Sequence, residues 1–226
     1  IPNYEYVIAQ SRSEFTEQSL SRLAQILLKN KENDKAIPVL SRLENEADVS
    51  QNKTYAQSNL MKLYYNKKDY PNSGIYAEKV LMNPKADDNV KSDAQIIIAR
   101  AAIETGDEAK AKVAYAKVLA IAKGELAAEA LYYDAYFKNK EGKFEASNEA
   151  VQKIAKNYSS YKYFGAKGLI LMAKNFYGLK DSYQATYILE NVIQNFTGYP
   201  DVVSEAKTEL NAIKTEEAKT NSSITK

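Results

Sequence analysis

The chain has 226 residues, no Cys, no His and no Trp, and 31 basic against 29 acidic side chains leave a formal charge of +2. That balance gives no strong pull toward nucleic acid or an anionic membrane. The missing Cys and His exclude disulfides, thiol nucleophiles, thiolate metal sites and imidazole general bases.

Eight Gly and five Pro are few for this length, and Ala, Leu, Lys and Glu favour helix throughout. In chain order, Tyr4-Glu-Tyr-Val-Ile8 reads as the tail of a preceding helix, with Tyr6, Val7 and Ile8 expected to cover Leu20, Leu23 and Leu27. Residues 1–14 are thus expected to be the tail of a preceding repeat or a linker, in a chain that is part of a longer protein or complex. Helix pairs are expected at 15–30 with 34–46, 53–66 with 70–82, and 88–104 with 108–122. Two more follow at 125–140 with 144–157 and 161–178 with 182–196. A capping helix is expected within 197–219, then a flexible polar tail at 220–226. Turns are marked by Asn33-Asp34, Asp69-Tyr-Pro71, Gly106-Asp107, Gly142-Lys143 and Gly178-Leu-Lys-Asp181.

The pairs repeat one another. Ala36, Ser73, Ala111, Ser147 and Ala185 are 37, 38, 36 and 38 residues apart, each opening a segment with apolar residues four and seven positions later, all of them large except Ala77. Each has a partner twelve residues earlier, at Ala24, Met61, Ala99, Ala135 and Ala173. A small residue at both positions, in every copy but that of Met61, suits a close helix crossing, and recurrence at one period is the mark of a repeat architecture. The fourth copy fits least well: if Ala135 takes its slot, Asp134 and Lys138 occupy positions that should be apolar. Their i, i+4 spacing lets them pair, and a slipped register remains the alternative.

This pattern of a small residue on a first helix, a Gly-Asp type turn, and a small residue with a large one on a second helix resembles the tetratricopeptide repeat. The resemblance spans residues 15–196. It implies an all-α chain: a right-handed α-α superhelix of five helix pairs plus a C-terminal capping helix. The longer period and the absent Trp depart from that family's usual repeat. The irregular repeats look most like the large tetratricopeptide proteins of the Gram-negative envelope, which implies a periplasmic or outer-membrane-associated place.

No catalytic residue, cofactor site or metal site is expected. Asp87-Asp88-Asn89 lacks the Gly and distal Glu of a calcium loop, and Gly165-Ala-Lys-Gly168 lies inside a helical pattern with no strand before it. No apolar run is long enough for a membrane span. One past the small slot of each first helix stand Gln25, Lys62, Arg100, Tyr136 and Lys174; three further on stand Leu28, Tyr65, Ile103, Asn139 and Tyr177. From these, Lys62, Tyr65, Arg100, Tyr136, Lys174 and Tyr177 are expected to line a concave groove. A solvated face produces the same pattern. The expected function is a non-enzymatic scaffold for an acidic protein or extended peptide, with no nucleic-acid partner. Two rivals stand beside it: a glycan- or peptidoglycan-binding module, and a helical accessory domain of an enzyme lying upstream.

Overall fold

In a computed structural model, the backbone of residues 1–224 and the side-chain surroundings of residues 1–219 are described. Among the described residues there are twelve α-helices and no strand. They are α1 (Pro2–Ala9), α2 (Thr16–Lys29), α3 (Asn33–Glu46), α4 (Ser50–Asn66), α5 (Tyr70–Met82) and α6 (Asp88–Glu104). The rest are α7 (Glu108–Ile121), α8 (Gly124–Lys140), α9 (Phe144–Asn157), α10 (Lys162–Gly178), α11 (Ser182–Asn195) and α12 (Pro200–Ile224). Helix α12 continues past the expected end at 219 to Ile224, and Thr225 and Lys226, the last of the expected tail, lie outside the described residues.

One local device ends each even-numbered helix from α2 to α10. Lys31, Lys68, Gly106, Gly142 and Lys180 all take positive φ, between 60° and 74°. Each lies five residues before its repeat's small anchor. The residue after each donates its backbone N–H to a carbonyl five residues back: Glu32 to Leu27, Asp69 to Tyr64, Asp107 to Ala102, Lys143 to Lys138 and Asp181 to Phe176. This left-handed closure satisfies helix-end carbonyls that would otherwise be orphaned. Asp69, Asp107 and Asp181 then open the next helix, their carboxylates accepting from the N–H of Asn72, Lys110 and Gln184.

The small slots are buried completely. Ala36, Ser73, Ala111, Ser147 and Ala185, with Ala24, Met61, Ala99, Ala135 and Ala173, each have 0% relative exposure. Where the anchor is Ser, its hydroxyl donates to the carbonyl twelve residues earlier, Ser73 to Met61 at 2.9 Å and Ser147 to Ala135 at 2.7 Å. The register of the fourth copy is therefore the unslipped one, and Lys138 pairs with Asp134 at 2.8 Å on a half-exposed face.

The chain divides into two compact units, residues 1–114 and 115–226. In the first, α1 packs on α2, α2 on α3, α3 on α4, α4 on α5 and α5 on α6, while α4 also reaches α6. Its core holds Leu20, Leu23, Leu27, Leu40, Leu43 and Leu60. Tyr4 and Ile8 of α1 pack against it. Tyr6, expected to cover that face, instead stands 70% exposed, because residues four apart share a helix face and Tyr6 lies between them. In the second unit α8 packs on α9, α9 on α10, α10 on α11 and α11 on α12. Helix α10 also touches both α8 and α12. Val202, Ala206, Leu210 and Ile213 of α12 close the cluster built on Ile170, Leu189 and Val192. Contacts that skip a helix thus join even-numbered helices, bringing their outward faces side by side within each unit.

Candidate functional site

The six expected groove residues all lie on even-numbered helices, three in each unit. In the first unit Lys62 and Tyr65 stand on α4 and Arg100 on α6. Lys62 keeps half its side chain in solvent, and its Nζ lies 2.5 Å from Asp93 Oδ2 on α6. Tyr65 is half-buried and meets the Tyr70 ring edge-on, with centroids 5.7 Å apart. The Tyr70 hydroxyl donates to Glu104 at 3.3 Å. This face is therefore a cation, a carboxylate and two rings in close sequence.

In the second unit the face is more aromatic. Tyr136 on α8 sits edge-on to Phe137 at 5.3 Å and to Tyr133 at 6.1 Å, with Lys140 Nζ 5.5 Å from its centroid. Lys174 on α10 pairs with Glu209 of α12 at 2.8 Å and reaches Glu205 at 4.0 Å. Lys167 also pairs with Glu205 and lies 5.8 Å from the Tyr132 ring. The Tyr163 hydroxyl donates to Asp201 at 3.0 Å. Burial raises the Tyr163 pKa, and its bond to Asp201 pushes the same way. Burial likewise raises Tyr132 and carries Tyr133 to about 12. Tyr177 shares a hollow of about 300 Å³ with Lys174, Glu209, Ala212, Ile213 and Glu216.

The sequence reading missed the counterions. The groove was expected to present cations to an acidic partner; Lys62 and Lys174 are instead each tied to a carboxylate on the next even-numbered helix, which neutralises them locally. A signal for it exists. Lys62 and Asp93 are 31 residues apart, and Lys174 and Glu205 share that separation. Lys167 and Glu205, like Tyr163 and Asp201, are 38 apart, about one repeat period. Stacked repeats bring such positions together.

Exposed large apolar side chains are distributed differently. Those inside helices α2 to α12 fall on odd-numbered helices: Ile75 and Met82 on α5, Val113 and Ile121 on α7, Tyr183 and Tyr187 on α11. The last two are 76% and 56% exposed, with ring planes 14° apart and centroids 6.5 Å apart. Among the described residues no group of His, Cys, Asp and Glu is arranged to hold a metal ion. No helix there is long and apolar enough to cross a membrane.

No known protein family matches the chain, and no curated protein matches it either. The likeness to tetratricopeptide repeats therefore rests on the recurring slots and on the helix order.

Proposed function

We propose that the chain is a non-enzymatic scaffold of tetratricopeptide type, binding an extended acidic partner on the face of its even-numbered helices. The observation that carries the reading is the alternation on that face of solvent-reaching cations with half-buried rings. Lys62 and Tyr65 supply it in one unit, Lys174 and Tyr177 in the other. The rings offer desolvated contact area, and the cations steer and orient. An incoming carboxylate exchanges with Asp93, Glu205 or Glu209 instead of meeting a bare charge, so each contact is weak and affinity comes from the set. The right-handed superhelix, the five-pair count and the envelope location belong to the same proposal.

The counterions decide how to test it. Reversing Lys62 and Lys174 to Glu would set like charges beside Asp93, Glu205 and Glu209 and mix repulsion within the face with any loss of binding. Lys62→Gln, Arg100→Gln and Lys174→Gln together keep the stems and remove only charge. Fluorescence anisotropy with a labelled extended peptide alternating Asp with Leu and Phe should show wild-type binding that weakens as salt rises, because exposed charges are screened beyond ~8–10 Å. The triple variant should bind several-fold more weakly at low salt with its helicity kept. Equal binding by the two proteins would remove this face from the function.

A second reading, a glycan-binding module, is favoured by one observation. Tyr183 and Tyr187 form an exposed pair of near-parallel rings on α11, and the Asn191 amide donates to the Tyr187 carbonyl at 2.8 Å. Retention on insoluble peptidoglycan that disappears in Tyr183→Ala/Tyr187→Ala would transfer the function to that surface.

A further inference from the structure

Between α9, the start of α10 and the turn into α12 lies a cleft of about 670 Å³ that shares no residue with the face described above. Small-ligand sites occupy roughly 300–1,000 Å³. Ala155, Leu169 and Phe196 give its walls an apolar surface, backed by the fully buried Val151 and Ile154. One charged residue lines it, Lys162; its side chain is exposed and forms no ion pair among the described residues. Two glycines leave the walls bare. A Cβ added at Gly165 or Gly198 would meet nothing within 4 Å, so another main chain can approach closely there.

These features specify an occupant with an apolar body, one negative charge and polar groups between them. We propose that the cleft receives the carboxyl terminus of a peptide, its last large side chain inside and its carboxylate on Lys162. A fatty acid offers the same charge and apolar bulk but fits less well. The exposed Ser159 and Asn195 line the cleft, and an alkyl chain lying against them would make none of the hydrogen bonds that a peptide main chain offers. Asn195 already donates through Nδ2 to the Asn191 carbonyl at 3.0 Å. Its side-chain oxygen remains to accept a peptide N–H.

The chain contains no Trp, so the peptide acetyl-Gly-Ser-Trp with a free carboxylate reports its own binding by fluorescence. The expected result is a blue-shifted emission with Kd below about 1 mM. The amidated peptide should bind at least about threefold more weakly, and Lys162→Ala should weaken only the acid form. Gly165→Phe should abolish binding while its melting temperature is kept, since the ring would enter the empty cleft. If that variant does not fold, Ala155→Phe from the facing wall makes the same test. No binding at several times the expected Kd, equal affinity for acid and amide, or displacement of the peptide by stoichiometric decanoate would each overturn the proposal. So would unchanged binding by a folded cleft-filling variant.

Discussion

Lys31, Lys68 and Lys180 occupy left-handed backbone where Gly106 and Gly142 stand in the equivalent turns. A side chain there costs free energy that Gly avoids, so Lys68→Gly should stabilise the fold by about 0.5–1 kcal/mol after the entropic cost of Gly is counted. Gly142→Ala should destabilise it by a similar amount, and chemical denaturation measures both. A Lys68→Gly variant less stable than wild type would show that the Lys68 side chain offsets its strain elsewhere. The two buried anchor serines differ in a way that can also be measured. Ser73 makes one bond, to the Met61 carbonyl; Ser147 bonds the Ala135 carbonyl and also accepts from Asn175 Nδ2 at 2.9 Å. Ser147→Ala should therefore cost more than Ser73→Ala, each within about 1–3 kcal/mol. Equal losses would mean that Asn148, 2.8 Å from the same Nδ2, satisfies Asn175 alone. The anchors are legible in the sequence because small size at a fixed period is a residue property. The left-handed lysines are not, since nothing in a Lys signals positive φ and only comparison of the five turns reveals it.

At the scale of elements, the sequence pattern places helices closely because caps and stops are local. Asp69, Asp87 and Asp181 each open a helix with a carboxylate-to-backbone bond, and those are residues a sequence displays. Gly178 shows the limit. The sequence suggests a turn glycine, whereas it is the last residue of α10 and the left-handed residue is Lys180. What sets Gly178 apart is the Phe144 ring, 2.6 Å from where a Cβ would sit, so that a side chain there would have to displace the ring; that ring arrives from α9, 34 positions earlier. The terminal helix is a matching case of cover supplied by a neighbour. Four α12 side chains close an apolar cluster shared with α10 and α11, so a chain ending before Pro200 should expose a contiguous apolar face and self-associate. Size-exclusion chromatography with light scattering gives the readout: a truncated chain that stays monomeric with unchanged melting would deny α12 a capping role.

Across the whole molecule, titration follows from what the chain lacks. With no His and no Cys, the chain lacks the side chains that ordinarily change charge between pH 5 and 8, so stability should be flat there. Acid should act through paired carboxylates such as Glu44. Burial raises its pKa, but hydrogen bonds from Gln57 and Lys79 outweigh that and leave it below the ordinary 4.5. A depressed carboxylate stabilises the fold above its unfolded pKa and loses that contribution as pH falls through the folded one. The advantage of wild type over Glu44→Gln in thermal melts should therefore be full near neutrality and shrink below about pH 4.5. An advantage independent of pH would place the effect in packing.

By itself the sequence determined the all-helical class, the period, the order of the helices and the buried small slots. These depend on side-chain size and on capping within a few residues. It also placed the six candidate groove residues on even-numbered helices, because one repeat offset carries each to an equivalent position. Only the tertiary structure decided that Lys62 and Lys174 are neutralised by the next even-numbered helix. It alone placed the exposed tyrosine pair and the cleft beside Lys162. Each of these depends on groups drawn from different helices and separated along the chain, and their distance is set by how successive helices pack, a property that no single stretch of residues contains.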